Sequence, residues 1–462
     1  MKTSYFKFLI VRLCRRFGSS KETSNFTLPP ADRFFLLLGL LVVALFVSCG
    51  EDRTYEYHEK TERDHWMQNV MAEEYLWGDS IKDLEWKDYF AAPTDFFKKL
   101  IAMAPVQDKW SWCSVDTAET DHFSRGYFNH LDSYGFDFTV MTDPTGETSR
   151  QYARVTTVYP NSPADQCGIK RGDFIESIDG TRFTSNQASI LVSGETHTLL
   201  VGRIGIDESG SAFEWKETEK LTLPPSTRVS DMPFPVVTSF ASTDGDVVYL
   251  MCNKLTQGET NGNVSSTLYR EQLKQLMEQL RRNYPYAIVL DLRLCNEGDM
   301  EMARLLASYL VGTSATSQTV FAKLQYRESH KEKNTSLYFD SDALSQSLGV
   351  TEIAIIQGKY TQGPAEWLIR AVKSVMPSST VYTYGTSTAG QNVMTQSITS
   401  DYYLTLHPAA AYVANADDDY DYSRGLSPDV TIDEFQYSDL YSYGDTREII
   451  LAKVLANFDM IQ

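Results

Sequence analysis

Six cysteines, seven histidines and 61 acidic side chains are the main groups in this 462-residue chain with the means to do chemistry. Their spacing excludes several kinds of it. Cys14, Cys49, Cys113, Cys167, Cys252 and Cys295 stand far apart with no C-x-x-C pair, so the pattern is neither a disulfide framework nor a thiolate zinc site. The histidines are scattered and form no H-E-x-x-H. Asp417-Asp418-Asp419-Tyr420-Asp421-Tyr422 lacks the Gly and the distant Glu of an EF-hand loop, and reads as a solvated acidic turn. No metal and no cofactor is expected. Two further stretches place small residues beside polar ones: Thr361-Gln362-Gly363-Pro364-Ala365-Glu366 and Gly385-Thr386-Ser387-Thr388-Ala389-Gly390-Gln391. Thr361, Ser387, Thr388 and Lys359 are the hydroxyls and amine at hand there, and nothing in their spacing marks a nucleophile–base pair.

The elements that must position these groups follow from charge and periodicity. The chain carries 42 Lys and Arg against 61 Asp and Glu, a net charge of −19. Residues 1–48 hold seven of the basic and two of the acidic groups, which leaves 35 against 59 in the remainder. Such a body repels phosphate backbones, so nucleic acid is excluded as a partner. Arg12, Arg15, Arg16 and Arg33 precede an apolar run from Phe34 to Val47. That run is short for a membrane span, which needs roughly 20 residues, and suits the apolar region of a signal peptide. It closes in Phe46-Val47-Ser48-Cys49-Gly50, which resembles the lipobox of bacterial lipoproteins, where the Cys49 position is acylated and becomes the first mature residue. The resemblance implies a lipid anchor in the bacterial cell envelope, at the outer membrane, on either its periplasmic face or the surface.

Residues 53–118 read as helical. Trp66, Met67, Val70, Met71 and Tyr75 share one face, and a second helix begins at Pro93-Thr94-Asp95, with Thr94 or Asp95 as cap, and carries Phe96, Phe97, Leu100 and Ile101. From about 227 the chain alternates. Strands are expected at Val247–Leu250, Ala287–Leu290 and Ile353–Ile356, and helices over the stripe Leu273, Leu276, Met277 and Leu280, over Met302–Leu310 and over Pro364–Val375. That alternation predicts a parallel-rich sheet covered on both faces.

Between these regions lies a β-rich module. Val155-x-x-Val158 leads to Pro160-Asn161-Ser162-Pro163-Ala164, then Cys167-Gly168-Ile169, Arg171-Gly172-Asp173-Phe174-Ile175 and Ile178-Asp179-Gly180. Ser162-Pro163 starts a short helix, Gly168 ends it with a positive φ, and Gly172-Asp173 turns into a strand. The order resembles the bacterial PDZ signature. PDZ modules bind a peptide as an added strand and hold its terminal carboxylate on a loop of backbone amides. Tyr134-Gly135-Phe136-Asp137-Phe138 fits that loop, with Phe136 and Phe138 on one face, and the same residues also read as the ordinary start of a strand.

With the module in place, the later motifs resemble the C-terminal processing (tail-specific) serine peptidases over most of the exported chain. The shared anchors are the PDZ signature, Asp291-Leu292-Arg293, the Thr361–Glu366 stretch, Gly385–Gly390 and Asp421-Tyr422-x-x-Gly425-x-x-Pro428-Asp429. The resemblance implies an α+β multidomain fold: signal peptide 1–48, helical region 49–118, PDZ domain 119–226, and a ClpP/crotonase-like α/β core over 227–462. It also implies a Ser–Lys pair, but the serine position is Gly363 and the lysine position is Gln391. Glycine has nothing to attack with, and an amide does not titrate. In the loop that shapes the oxyanion site, Cys295 stands for Asn and the anionic Glu297 for Gly. The histidine of related Ser–His members is replaced by Trp110. The expectation is a pseudopeptidase that binds peptide or protein C-termini. The alternatives are a divergent active endopeptidase, and a structural subunit that supports an active paralogue or self-associates.

Overall fold

The structure is a computed structural model that describes residues 54–115, 132–206, 213–230, 232–258, 260–261, 264–437, 440–458 and 460. The signal segment and Cys49 lie outside the described residues. Among the described residues, no helix is long and apolar enough to cross a membrane. The chain divides between Glu62 and Arg63, and the unit from Arg63 onward is the one described below.

Apolar spacing dictates the prefix. Met67, Met71 and Tyr75 are fully buried, as are Phe96 and Leu100 on the helix Pro93–Ile101, with Phe97 nearly so. They form one core with Leu404 and Leu406. The second helix starts from Ala92 with Pro93 in its first turn, so neither Thr94 nor Asp95 is the cap. Proline fixes φ for the first turn and makes a side-chain cap less necessary. The prefix is also not all helix. Trp112–Val115 is a strand, antiparallel to Leu404–His407, and Trp112 stacks on His407 at 3.6 Å. That pairing is with a strand nearly 300 residues away, which local periodicity cannot register.

Six antiparallel strands build the PDZ-like module, five in the order Phe136–Thr142, Gln151–Val158, Phe174–Ile178, His197–Ile206, Phe213–Leu223, with Thr181–Arg182 paired beside Phe174–Ile178. The Ser162 hydroxyl accepts from the Asp165 amide at 3.2 Å and caps the helix Pro163–Cys167, which Gly168 closes at φ +92°. Phe136, Phe138, Val155, Ile175 and Leu199 are in its core.

The larger core centres on a six-stranded sheet, ordered Val430–Thr431, Val381–Gly385, Glu352–Gln357, Ala287–Asp291, Gly245–Met251, Val237–Ser242. All neighbours are parallel except the last pair. Alternation along each strand sends Val248, Leu250, Ile288, Leu290, Ile353 and Ile355 to the face covered by the helices Leu268–Arg282, Met300–Val311 and Pro364–Val375. Val247, Tyr249, Val289 and Ile356 go to the face covered by Ile449–Leu455. Each such buried side chain contributes about 1.5–3 kcal/mol. A four-stranded antiparallel sheet, Thr335–Tyr338, Val320–Tyr326, Ala409–Ala414, Val393–Thr395, was not legible in the sequence.

A buried charge cluster joins the module to this core. Arg171 of the module donates to Glu434 at 2.6 Å and to the Tyr441 carbonyl at 2.7 Å, and Arg154 donates to the carbonyls of Phe435 and Tyr437 at 2.9 and 2.6 Å. Arg293 donates to Glu434, to both oxygens of Glu448 at 2.9 and 3.1 Å, and to Asp291 at 3.0 Å. The Tyr443 ring lies 4.2 Å from the Arg171 guanidinium and 4.9 Å from that of Arg293. Burial pushes the Glu448 carboxyl up, but Arg293 outweighs it and holds the group down from 4.5 to about 2. A depressed carboxylate contributes stability above its unfolded pKa and loses it as pH falls through the folded value. Stability should therefore drop between about pH 4.5 and pH 2, with about 3 kcal/mol of that drop due to Glu448. Urea unfolding across this range should show a limb shallower by that amount in Glu448→Gln, and an unchanged limb would refute the assignment.

Candidate functional site

The strand Glu352–Gln357 ends at Gly358, and the helix Pro364–Val375 begins six residues later. The turn between them is fixed on both sides. The Thr361 hydroxyl donates to the Leu292 carbonyl at 2.8 Å and accepts from the Gly358 amide at 2.9 Å. The Gln362 amide donates to the Cys295 carbonyl at 3.0 Å, which ties the turn to the Asp291-Leu292-Arg293 loop, and the Ala389 amide donates to the Thr361 carbonyl at 3.0 Å. Gly363 sits at φ +51°, ψ −111°. This is a sharp strand-to-helix turn of the kind that presents a nucleophile in hydrolases, and side chains adopt that backbone only at a cost of about 1–3 kcal/mol.

The two expected catalytic positions are brought face to face. A Cβ placed on Gly363 would lie 2.8 Å from the Gln391 side-chain oxygen. What connects them is Glu366, fully buried in the first turn of the helix. One carboxylate oxygen accepts from the amides of Gly363 (3.0 Å) and Gln391 (2.7 Å). The other accepts from the Gly390 amide (2.7 Å) and the Thr388 hydroxyl. That hydroxyl also accepts from the Leu426 amide at 2.7 Å, so its own proton points at Glu366. Burial pushes the Glu366 carboxyl above its usual range, and the four donors work against that push. Gly390 permits the close packing of this loop: its Cβ would meet the Ser423 carbonyl at 2.5 Å, and its φ is +87°.

The amides at the start of the helix are also engaged or missing. A nucleophile turn uses the N–H of the residue after the nucleophile, and that residue is Pro364, which has none. The Gly363 amide goes to Glu366 and the Ala365 amide to the Gln362 carbonyl at 3.2 Å. Pro364 was the residue that sequence reasoning missed, although its lack of an N–H is legible from its type alone. Cys295 is fully buried, and the Glu297 carboxylate lies 3.7 Å from the Lys254 ammonium while its carbonyl accepts from the Leu255 amide.

The other hydroxyls and amines near the turn are placed as follows. Thr361 and Thr388 are buried and engaged as above, and Ser387 is exposed. The Lys359 ammonium lies over the rings of Tyr360 and Phe435 at 4.7 and 6.0 Å, in a separate cavity of about 250 Å³. Ser397 and His407 are hydrogen-bonded at 2.9 Å, but on an exposed rim with the imidazole stacked on Trp112. Trp110 is half-buried, its amide bonded to Asp108 at 2.8 Å.

In the PDZ-like module, Tyr134, Gly135, Phe136, Asp137 and Phe138 are all buried. The Tyr134 amide donates to the Val192 carbonyl at 3.2 Å, the Gly135 amide to the Ser133 hydroxyl at 2.9 Å, and the Tyr134 hydroxyl to the Glu195 carbonyl at 2.5 Å. Phe136 and Phe138 lie with ring centroids 5.9 Å apart. Phe136–Thr142 is the first strand in the order of its sheet and is antiparallel to Gln151–Val158. Among the described residues, no His, Cys, Asp or Glu cluster is arranged to hold a metal.

Glu366→Gln would turn an amide group toward donors that need an acceptor. It should cost about 3 kcal/mol in urea unfolding, and a loss below about 1 kcal/mol would show that Glu366 does not hold the two loops together.

Comparison with known proteins agrees with this geometry. A family profile for the Peptidase S41 N-terminal domain matches residues 62–112, and one for the PDZ domain matches residues 154–201. No curated protein matches the sequence. A solved structure assigned as an S41 protease, from Bacteroides fragilis NCTC 9343, is 26% identical, with a TM-score of 0.73 over 85% of this chain and 96% of that one. A looser likeness, to a photosystem II D1 C-terminal processing protease, is 16% identical, with a TM-score of 0.47 over 81% of this chain and 93% of that one. The chain thus carries a Peptidase S41 N-terminal domain and a PDZ domain, and it shares the fold of an S41 protease.

Proposed function

We propose that this chain is a proteolytically inactive member of its family. In this reading it is held in the cell envelope by a lipid on Cys49, and it binds peptide or protein C-termini through its PDZ domain. The observation that carries the reading is the 2.8 Å approach of the missing Gly363 side chain to Gln391. The motif positions of nucleophile and base coincide in space, and neither residue can attack or accept a proton. Pro364 supports it from a second direction, because a turn without that N–H lacks a donor for a developing oxyanion. Removing one such donor costs an active enzyme about 10²–10³ in rate. For binding, support comes from the PDZ match, since PDZ domains bind a peptide by adding it to their sheet as a strand. A terminal carboxylate arriving at 134–138 must displace the Ser133 hydroxyl from the Gly135 amide.

The wild-type protein should leave casein uncleaved and take no label from a serine-reactive phosphonate. Gly363→Ser/Gln391→Lys should gain little, and adding Pro364→Ala should be needed before turnover rises. Cleavage by the wild type would overturn the inactive reading. In a peptide-binding assay, a free C-terminus should bind better than its amide by about tenfold, as expected for loss of a charge-assisted contact. Equal binding would remove C-terminus recognition from the proposal.

A further inference from the structure

The amides of the loop Tyr134–Phe138 are already occupied from within. Tyr134 gives its N–H to the Val192 carbonyl at 3.2 Å, Gly135 to the Ser133 hydroxyl at 2.9 Å, and Phe138 to the Asp137 carboxylate at 2.9 Å. Ser133 and Asp137 are both buried, at 1% and 4% exposure. A hydroxyl and a carboxyl group therefore sit on donors that the C-terminus of a ligand would need, and Asp137 offers the same chemical group as that C-terminus.

Ser133 is held in place by the segment that leaves the module. After the strand Phe213–Leu223 the chain runs through Pro224-Pro225-Ser226-Thr227-Arg228-Val229. Thr227 and Ser133 exchange both backbone hydrogen bonds at 2.9 Å, in an isolated antiparallel bridge. The Ser226 hydroxyl donates to the Asp132 carboxylate at 2.6 Å and accepts from the Gly194 amide at 2.9 Å. The Ser226 amide donates to the Gly194 carbonyl at 2.9 Å. Val229 is buried, packs on Tyr159 and lies against Gly135: a Cβ built on that glycine would be 3.2 Å from a Val229 methyl group. Two prolines ahead of these contacts restrict the backbone, so the segment loses less conformational entropy by lying there. It bonds to the residue before the loop in the manner of an added strand, which is how a peptide engages such a module.

We infer that residues 226–229 are a built-in strap, and that together with the Ser133 hydroxyl they compete with a peptide C-terminus for the loop. A ligand that must first open an internal contact binds with an affinity reduced by the fraction of molecules in which that contact is open. Loosening the strap should therefore tighten binding, the opposite of what loss of an ordinary contact residue does. The inference rests on the peptide-binding reading above and adds the element that holds that binding in check.

Fluorescence anisotropy tests it, with the whole chain titrated into a fluorescein-labelled decapeptide that ends in a free carboxyl or in the amide. Ser133→Ala removes the acceptor from the Gly135 amide, and Ser226→Ala removes two side-chain bonds of the strap. Each should tighten binding of the free-carboxyl peptide about fivefold, the equivalent of one hydrogen bond, while the amide peptide gains less than about twofold. Ser226 is half-buried and its hydroxyl bonds at the surface, so Ser226→Ala should keep the wild-type urea midpoint and guards against a folding defect in the Ser133 variant. Free-carboxyl binding that is unchanged or weaker in both variants would overturn the inference and leave the peptide-binding reading intact. Equal gains for the two peptides would overturn it as well, because the strap would then not be withholding the carboxylate donors. No binding of either peptide to any of the three proteins would sink the peptide-binding reading and this inference together.

Discussion

The site depends on one buried carboxylate. Glu366 has no solvent exposure, and its two oxygens accept four hydrogen bonds drawn from two loops. An isolated ion in that position would be prohibitive, so the loops cannot separate without stranding it. The nucleophile turn and the base loop are thus held at a fixed distance by a group that does no chemistry itself. This explains how the frame survives the loss of its reactive side chains. Its geometry is imposed by Glu366, Thr361 and Thr388, all of which are present, and not by Gly363 or Gln391.

A second buried constraint sets where the PDZ domain sits. Arg293 follows the central strand and reaches Asp291, Glu434 and Glu448, while Arg171 reaches Glu434 from the PDZ side. Buried pairs of this kind add little net stability over an apolar replacement, but removing one member leaves a charge with no partner. Their effect here is one of placement, because guanidinium geometry accepts few alternatives. The Gln362 amide bonds to Cys295, two residues after Arg293, so the cluster and the nucleophile turn share one loop.

Much of this was legible in the sequence, and the parts that were not have physical causes. The strands Val247–Leu250, Ala287–Leu290 and Ile353–Ile356 were readable because central parallel strands are apolar on both faces. The Ser162 cap and the Gly168 terminus were readable because each residue type has a specific conformational role. The facing of Gly363 and Gln391 followed from motif order once the family resemblance was drawn. The antiparallel sheet containing Val320–Tyr326 and Ala409–Ala414 was missed, since the pairing at its centre joins residues as far apart as Lys323 and Ala414. The strand Trp112–Val115 was missed for the same reason. Glu366 was used as a landmark for register, but its role needed coordinates: four donors from two loops cannot be counted from a one-dimensional pattern.

The substitutions at the turn also change its energetics in one direction. At φ +51° any side chain is strained, and a nucleophile persists in such a place only because the surroundings over-determine it. Glycine removes that strain. A lysine at position 391 would have to be kept neutral within a few ångströms of the Glu366 carboxylate, which favours the charged ammonium. Glutamine makes no such demand. Pro364 then presets the first turn of the helix and removes one amide from it. Together these residue types give a turn with less strain than a side chain at position 363 would allow.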